Sequence, residues 1–189
     1  LLCAESKNKL NFNLGGIANG TYLKRMEMEL AYDVGPGNCL MDEAMRNFGL
    51  GLFDKDGALA RSGEINDAML KLFIKDLENL TYPRADDISI YMNVFKKYEN
   101  EILKLDPADA LCTLTELTAI KIIEFIKACD PTDELIFHGG GTENKYLMNR
   151  IAESVSIQVK LIDDIAPSKY IEAIAFAYLA YKERAVLFR

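Results

Sequence analysis

The chain has 189 residues, of which 50% are hydrophobic and 27% charged, so it is long enough for one domain with a sizeable core and differs from disordered or fibrous sequences. Its 22 Lys+Arg are scattered and outnumbered by 29 Asp+Glu, and the formal net charge of −7 argues against a nucleic-acid partner. The longest apolar stretch, 171–179, is interrupted by Glu172 and is too short for a transmembrane helix, so we expect no membrane partner.

The cysteines and the single histidine argue against a zinc site. Cys3, Cys39, Cys112 and Cys129 form no CxxC pair, and His138 is the only histidine. We expect reduced thiols, as in a cytoplasmic protein, rather than disulfides. The chain begins Leu-Leu-Cys-Ala, without an initiator methionine or a basic segment, which we interpret as a cut or truncated end rather than a signal peptide.

Alternating patterns predict three strands in the first third of the chain. Large apolar residues alternate with polar or small ones over 9–14 and over 30–34. The segment 21–27 between them is predicted to be the third strand. Together these segments predict a three-stranded meander with one apolar face.

Helices and short strands alternate in the rest of the chain. Apolar residues at helical spacing predict helices over 38–48, 65–80, 91–105, 143–152 and 171–184. The pair Asp106-Pro107, an N-cap followed by proline at the first helical position, starts a further helix that stops before Asp130. Strands are expected at 134–138 and 156–161, and Thr142 is expected to cap the helix that follows it. A meander followed by alternating helices and strands indicates an α/β domain with a mixed sheet.

The first candidate site is the string Asn-Leu-Gly-Gly-Ile-Ala-Asn at 13–19, where a strand runs into paired glycines. Gly15 and Gly16 carry no Cβ and accept positive φ, so backbone N–H groups there can approach an anion such as a phosphate. A glycine-rich turn between two strands explains the same string without a ligand.

The second candidate site is Asp-Val-Gly-Pro-Gly-Asn at 33–38, directly before a predicted helix. Asp33 lies on the polar side of its strand, with the parity of Asn13 on the first strand, so both side chains are expected to project into a cleft. Asn38 is placed to cap the helix, and a helix N-terminus beside a Gly-Pro-Gly turn suits an anion or a hydroxyl. A tight turn in which Asp33 binds its own loop is the alternative.

The third candidate site, Phe-His-Gly-Gly-Gly-Thr-Glu-Asn at 137–144, joins a strand, a triple glycine and a helix start, as where a nucleotide crosses the end of a sheet. It lacks the third glycine of a GxGxxG dinucleotide motif. His138 has no serine or cysteine nucleophile motif around it, so a structural role is expected. The segment Asp-Lys-Asp-Gly at 54–57 lacks the twelfth-position glutamate of a calcium loop and predicts a solvated turn or a substrate-facing loop.

These strings, in this order, resemble the C-terminal lobe of the anhydro-N-acetylmuramic acid kinase family over nearly the whole chain. The similar segments are a phosphate-binding hairpin at 13–21, an Asp-x-Gly-Pro-Gly-Asn turn at 33–38, Asp-Lys-Asp-Gly at 54–57, an adenosine-side motif at 139–144 with Leu147-Met148, and a closing helix with Glu172-Ala173 and 175–177. The resemblance implies an α/β fold, an RNase H-like lobe of an actin-type ATPase. Residues 1–189 would form a single C-terminal lobe, without the N-terminal lobe.

The resemblance further implies an activity. The family's two lobes clamp Mg-ATP, and its members hydrolytically open 1,6-anhydro-N-acetylmuramic acid and phosphorylate it to the 6-phosphate in bacterial cell-wall recycling. The implied cofactors are therefore ATP and Mg²⁺. The implied partners are the anhydro-sugar, the N-terminal lobe of the same enzyme and a second copy, as a homo-oligomer. Neither the general base nor a direct metal ligand is expected within this chain, which we expect to be inactive alone.

Residues that match the family's motifs receive roles by this resemblance. Expected at the β- and γ-phosphates are Gly15, Gly16 and Asn19. Expected on the adenosine side are Gly139, Gly140, Gly141 and Asn144. Expected at the substrate or in the water shell of the metal are Asp33, Pro36, Asn38 and, on the closing helix, Glu172.

Two segments depart from the family's pattern. The loop 83–87 lacks the expected Lys-Ser-Thr-Gly run, and Pro-Ser-Lys at 167–169 replaces a Pro-Asp start to the last helix. Two other functions stay open: a non-catalytic nucleotide-binding or dimerisation module, and a related sugar kinase with another acceptor.

Overall fold

A five-stranded mixed sheet with the strand order β3-β2-β1-β4-β5 organises the molecule. Strands β1 (Asn8–Leu14), β2 (Ile17–Lys24) and β3 (Glu27–Pro36) form an antiparallel meander. Strand β4 (Glu134–His138) pairs in parallel with β1, and β5 (Val159–Leu161) pairs in parallel with β4. The meander, the mixed sheet and the α/β class are therefore as predicted from the sequence.

Eight helices occur in the part of the chain that the structure, a computed structural model, describes: residues 6–78, 80, 82–129, 131–164, 167 and 170–181. They are α1 (Cys39–Asn47), α2 (Ala58–Ser62), α3 (Asp67–Leu77), α4 (Ile88–Lys97), α5 (Glu99–Ile102), α6 (Pro107–Ala128), α7 (Lys145–Glu153) and α8 (Ile171–Tyr181). Short 3-10 turns cover Lys55–Gly57, Gly140–Glu143 and Ile162–Asp164. None of these described helices is long and apolar enough to cross a membrane.

Helix α6 joins the two buried cores of the molecule. It begins as predicted, with Pro107 in its first turn and the Asp106 carboxylate accepting a hydrogen bond from the Ala108 N–H at 2.9 Å. Its N-terminal half contributes Leu111 and Leu114 to a core formed with α1, α3 and α4. Its C-terminal half packs on the sheet, so one helix fixes the sheet relative to the helical layer.

The sheet core explains why β1 lies in the centre. The alternating residues Leu10, Phe12 and Leu14 are fully buried, and the Phe12 ring stacks on Phe137 of β4 at 4.9 Å between centroids. The Phe125 ring of α6 meets Phe12 edge to face at 5.6 Å. This packing holds the carboxyl ends of β1 and β4 side by side, because the two strands are parallel neighbours.

Several boundaries differ from the sequence predictions. One helix over 91–105 is wrong, because Tyr98 leaves the helical conformation at φ −112° and ψ 11° and separates α4 from α5. Thr142 as the cap of α7 is also wrong, since a 3-10 turn covers Thr142 and the Asn144 side chain accepts from the Leu147 N–H at 3.0 Å. The last strand is Val159–Leu161 instead of 156–161.

Candidate functional site

The first two glycine strings are joined to each other by their main chains. The Gly15 carbonyl accepts a hydrogen bond from the Asn38 N–H at 2.9 Å, and the Gly16 carbonyl accepts from the N–H groups of Gly37 and Cys39 at 3.0 and 3.1 Å. A Cβ on Gly37 would lie 2.2 Å from the Gly15 carbonyl oxygen, so only glycine fits there. The β1–β2 hairpin and the turn before α1 therefore form one unit at the end of the sheet.

The third glycine string packs against the end of β1. Gly139 has φ +92°, and a Cβ there would lie 2.7 Å from the Leu14 carbonyl oxygen. A Cβ on Gly141 would lie 2.7 Å from the Leu14 Cβ. At Gly140 the Cβ direction is open, with no atom within 4 Å. Two of the three glycines thus allow close packing, and Gly140 exposes its backbone to open space.

That open space is a cavity of about 470 Å³ at the carboxyl edge of the parallel strands. Its walls are Asn38, Met41 and Asp42 around the start of α1, the segment 53–56, and Gly140 with Glu143 and Asn144. In mixed and parallel sheets this edge is the usual place for a ligand. The sequence predicted Asn38, Gly140 and Asn144 as site residues, and the structure brings these three together.

Asn38 and Asn144 reach the cavity in different ways. Asn38 occupies the N-cap position of α1, yet its side chain makes no capping hydrogen bond, so the predicted side-chain cap is wrong. The Asn144 oxygen caps α7, and its amide nitrogen lies 3.8 Å from the Met41 sulfur. Asn144 therefore fixes the cavity wall mainly as a structural residue, while the Asn38 amide is left available to a ligand.

The acidic residues of the wall are mostly engaged with the protein itself. The two Asp54 oxygens accept from the Leu59 and Ala60 N–H groups at 3.0 and 2.9 Å. Asp56 pairs with Lys145 at 3.0 Å, which lowers the pKa of its carboxyl. Asp42 is half-buried, and burial raises the pKa of its carboxyl. With Glu143 and Lys55 included, the described residues of the wall carry four carboxylates and one lysine. The wall therefore suits hydroxyl and amine donors better than phosphate.

Sequence reasoning assigned no role to three residues of this cavity, Met41, Asp42 and Phe53. Asp42 follows the Gly-Pro-Gly-Asn turn by four positions, and Phe53, 58% exposed, directly precedes Asp-Lys-Asp-Gly. Their proximity to predicted motifs was the available signal. Nothing in the local pattern shows that the two segments face each other across a cavity.

Asp33 contacts the loop 83–87 instead of projecting into the cleft expected from the sequence. Its N–H donates to the Arg84 carbonyl at 3.0 Å, and its carboxylate accepts from the Asp86 N–H at 2.6 Å. Arg84 and Asp86 form a buried ion pair at 2.8 Å, and Tyr91 donates its hydroxyl to Asp86. Asp33 is therefore not bound within its own turn, and its place at the substrate stays a prediction.

The other predicted residues lie around this site. Pro36 is buried at the end of β3 and shapes the turn, and Asn19 is half-buried opposite Asn13 in the β1–β2 pair. Glu172 lies on α8, but its side chain is outside the described ones. His138 is half-buried beside Asn11, 3.3 Å from the Asn11 amide nitrogen, and burial lowers the pKa of its imidazole.

Metal ligands and thiols contribute little to the site. Among the described residues, no group of three His, Cys, Asp or Glu side chains is arranged to hold a metal ion. Cys39, Cys112 and Cys129 are free, buried thiols, and burial raises the pKa of Cys39 to about 12. Cys3 lies outside the described residues, as do 168–169 of the second divergent segment.

Comparison with solved structures shows the fold of the chain. The activator of the 2-hydroxyisocaproyl-CoA dehydratase from Clostridium difficile, with bound ADPNP, aligns with a TM-score of 0.57 at 13% identity, covering 97% of this chain and 66% of that one. Component A of the Acidaminococcus fermentans (R)-2-hydroxyglutaryl-CoA dehydratase aligns with a TM-score of 0.53 at 13% identity, covering 94% and 62%. The fold is of the actin-like ATPase type.

The family follows from sequence comparison. The model of the family described as anhydro-N-acetylmuramic acid kinase matches residues 1–187, and the chain belongs to this family. The anhydro-N-acetylmuramic acid kinase of Sulfurimonas denitrificans is 35% identical over 188 residues, which cover 94% of this chain and 50% of the relative. That of Legionella pneumophila is 37% identical over 175 residues, covering 89% and 47%. The chain spans about half the length of the curated relatives it matches.

Proposed function

We propose that this chain is the C-terminal lobe of a cytoplasmic, ATP-dependent kinase that opens 1,6-anhydro-N-acetylmuramic acid with water and phosphorylates it to the 6-phosphate. The observation that carries the proposal is the cavity at Gly140, bounded by the three glycine strings that this family member has in sequence order. The remaining wall of the active cleft belongs to an N-terminal lobe of the same enzyme.

The nucleotide fits this lobe in one orientation. The cavity of about 470 Å³ is within the size range of small-molecule sites, and the open face of Gly140 lets a flat group lie against the backbone. Its acidic wall repels phosphate, so the adenosine occupies the cavity. The phosphates then extend toward the exposed Gly16, with Gly15 and Asn19 beside it at the hairpin.

Phosphoryl transfer requires little covalent chemistry from this lobe. When bound, Mg-ATP supplies the phosphoryl group, and the protein positions donor and acceptor in line. Because the described residues hold no three-ligand metal group, the phosphates, water and the N-terminal lobe would hold Mg²⁺. Asn38 would orient a hydroxyl or a water molecule of the metal shell, and Asp33 would act through the loop it holds.

The two-lobed enzyme tests the function directly. The reading frame upstream of Leu1 should encode the N-terminal lobe with the general base. That enzyme should release ADP only when the anhydro-sugar is present, with a new 6-phosphate signal in ³¹P NMR, while the 189-residue chain alone gives no turnover. ADP release independent of any sugar, or turnover by the chain alone, would contradict the proposal.

One observation favours a sugar acceptor other than 1,6-anhydro-N-acetylmuramic acid. The buried Arg84–Asp86–Tyr91 network occupies the loop in which the family's Lys-Ser-Thr-Gly run was expected, so the substrate side of the cleft differs. A related sugar kinase with another acceptor would share the nucleotide cavity. A panel of anhydro-sugars and simple amino sugars separates the two, since only the acceptor with the highest kcat/KM is the substrate.

The partners also include a second copy of the chain. We expect the two-lobed enzyme to form a homo-oligomer, and light scattering coupled to size-exclusion chromatography measures its mass. A monomeric mass over the micromolar range would contradict this expectation.

A further inference from the structure

One carboxylate of the nucleotide cavity is not used by the protein. Asp42 stands in the first turn of α1, lines the cavity and is half-buried. Within the described part of the chain, no hydrogen bond reaches its carboxylate. A half-buried carboxylate that faces a cavity and accepts no hydrogen bond from the protein can accept one from water or from a ligand.

The other charged groups of the cavity do not compete for this role. Asp54 is occupied by two backbone N–H groups, and Asp56 by Lys145. Glu143 is exposed. Asp42 is therefore the only partly buried, unoccupied carboxylate among the described residues of the cavity wall.

Two cations bear on the charge of Asp42: Arg46 on the same helix and Lys55 on the cavity wall. Arg46, one turn later on α1, donates to Glu43 at 2.6 and 3.1 Å. Because its guanidinium is bound to Glu43, it does not neutralise Asp42 through a direct hydrogen bond. Lys55 is exposed, and among the described residues no ion pair joins it to Asp42. A neutral ligand group with hydroxyl or amine donors therefore suits Asp42 better than an anionic one.

We propose that Asp42 recognises the ribose of the bound nucleotide by accepting hydrogen bonds from its 2′- and 3′-hydroxyls. The inference rests on the proposed function, which places adenosine in this cavity. Carboxylates commonly bind vicinal ribose hydroxyls, because two oxygens match two donors. The ribose lies at Asp42 while the base lies toward Met41, Phe53 and the open backbone of Gly140. The lobe consequently selects ribonucleotides over deoxyribonucleotides.

Binding of AMP, 2′-deoxy-AMP and 3′-deoxy-AMP to the 189-residue chain, followed by NMR titration, tests the proposal. For the wild type we expect an affinity of about millimolar for AMP and about tenfold weaker binding of each deoxy analogue, the effect of one hydrogen bond to a charged acceptor. Asp42→Asn should bind all three with affinities within about threefold. Glu153→Gln, which removes the same charge on exposed surface far along α7, should behave as the wild type.

The other outcomes would refute either the role of Asp42 or the nucleotide site as a whole. Equal affinity of the wild type for the three nucleotides overturns the role of Asp42 but leaves the proposed function standing. Full discrimination by Asp42→Asn, or by Asp42→Ser if the first variant does not fold, also overturns it. No binding of AMP or ATP to the wild type refutes the proposed nucleotide site itself, and the inference with it.

Discussion

Replacing Asp86 by asparagine tests how the loop 83–87 is held. Asp86 is 2% exposed in its side chain and pairs with Arg84, which is 11% exposed, at 2.8 Å. Its carboxylate also accepts the Tyr91 hydroxyl, and its N–H donates to Asp33. The substitution keeps the shape of the side chain and removes only its charge, so Arg84 is left buried without a counter-charge.

The expected loss of stability follows from that uncompensated charge. Breaking a buried ion pair by removing one partner costs about 3–5 kcal/mol, because the remaining ion has lost its water and its counter-charge. The melting temperature should therefore fall by roughly 10 °C for a chain of this size. The exposed pair Asp76–Lys97, with side chains 21% and 56% exposed, provides the control, and Asp76→Asn should cost no more than about 1 kcal/mol.

Urea unfolding followed by circular dichroism measures both variants. A third protein, Arg84→Met combined with Asp86→Leu, removes both charges and should be at least about 1 kcal/mol more stable than Asp86→Asn alone. Equal losses in Asp86→Asn and Asp76→Asn would refute the reasoning, since they would show that Arg84 finds water or another partner when Asp86 is neutral.

Three further predictions concern the site and its supports. Gly140→Val should weaken ATP binding by the two-lobed enzyme about tenfold, without loss of stability because the new Cβ meets no protein atom. Calorimetry measures the affinity, and thermal melting measures the stability. An unchanged affinity would contradict the cavity as the adenosine site. Asp33→Ala should accelerate hydrogen exchange of the Asp86 N–H by about tenfold, since its acceptor is lost. The pKa of Glu134 is held at about 2, below its ordinary 4.5, by Lys7, Lys160 and Lys9. The stabilising effect of these ion pairs is therefore present above pH 4.5 and is lost as the pH falls toward 2. Glu134→Gln should abolish this part of the dependence of the free energy of unfolding on pH.

Local patterns predicted the frame of the fold because they depend on residues close in sequence. Alternation at Leu10, Phe12 and Leu14 predicted β1 and its buried face, and Asp106-Pro107 predicted the start of α6. The break at Tyr98 was missed, because apolar residues keep helical spacing across it while its backbone does not. The start of α7 was misplaced because Thr142 and Asn144 can both cap a helix. In the folded chain the Asn144 side chain accepts the hydrogen bond from the Leu147 N–H.

In the candidate site, too, local features could be predicted from the sequence and tertiary contacts could not. The glycine strings were visible in sequence as runs of glycine at the ends of predicted strands. The reason for glycine at Gly37, Gly139 and Gly141 was not visible, because it lies in their contacts with Gly15 and Leu14. The cavity was not visible, since its walls combine Asp42, Phe53 and Gly140, which are about a hundred residues apart at the extremes. The contact of Asp33 with Asp86, across 53 positions, likewise depends on tertiary packing and on no local signal.

The bonds between the Gly15–Gly16 hairpin and residues 37–39 run from main chain to main chain, so they do not depend on which side chains surround them. Substitutions can therefore accumulate around the hairpin without moving it, provided that no atom is added at Gly37. Relatives that share only about a third of their residues with this chain can inherit the same shape of the site through their backbones. For an engineer, side chains at the rim are open to redesign, whereas the size of the residue at position 37 is fixed.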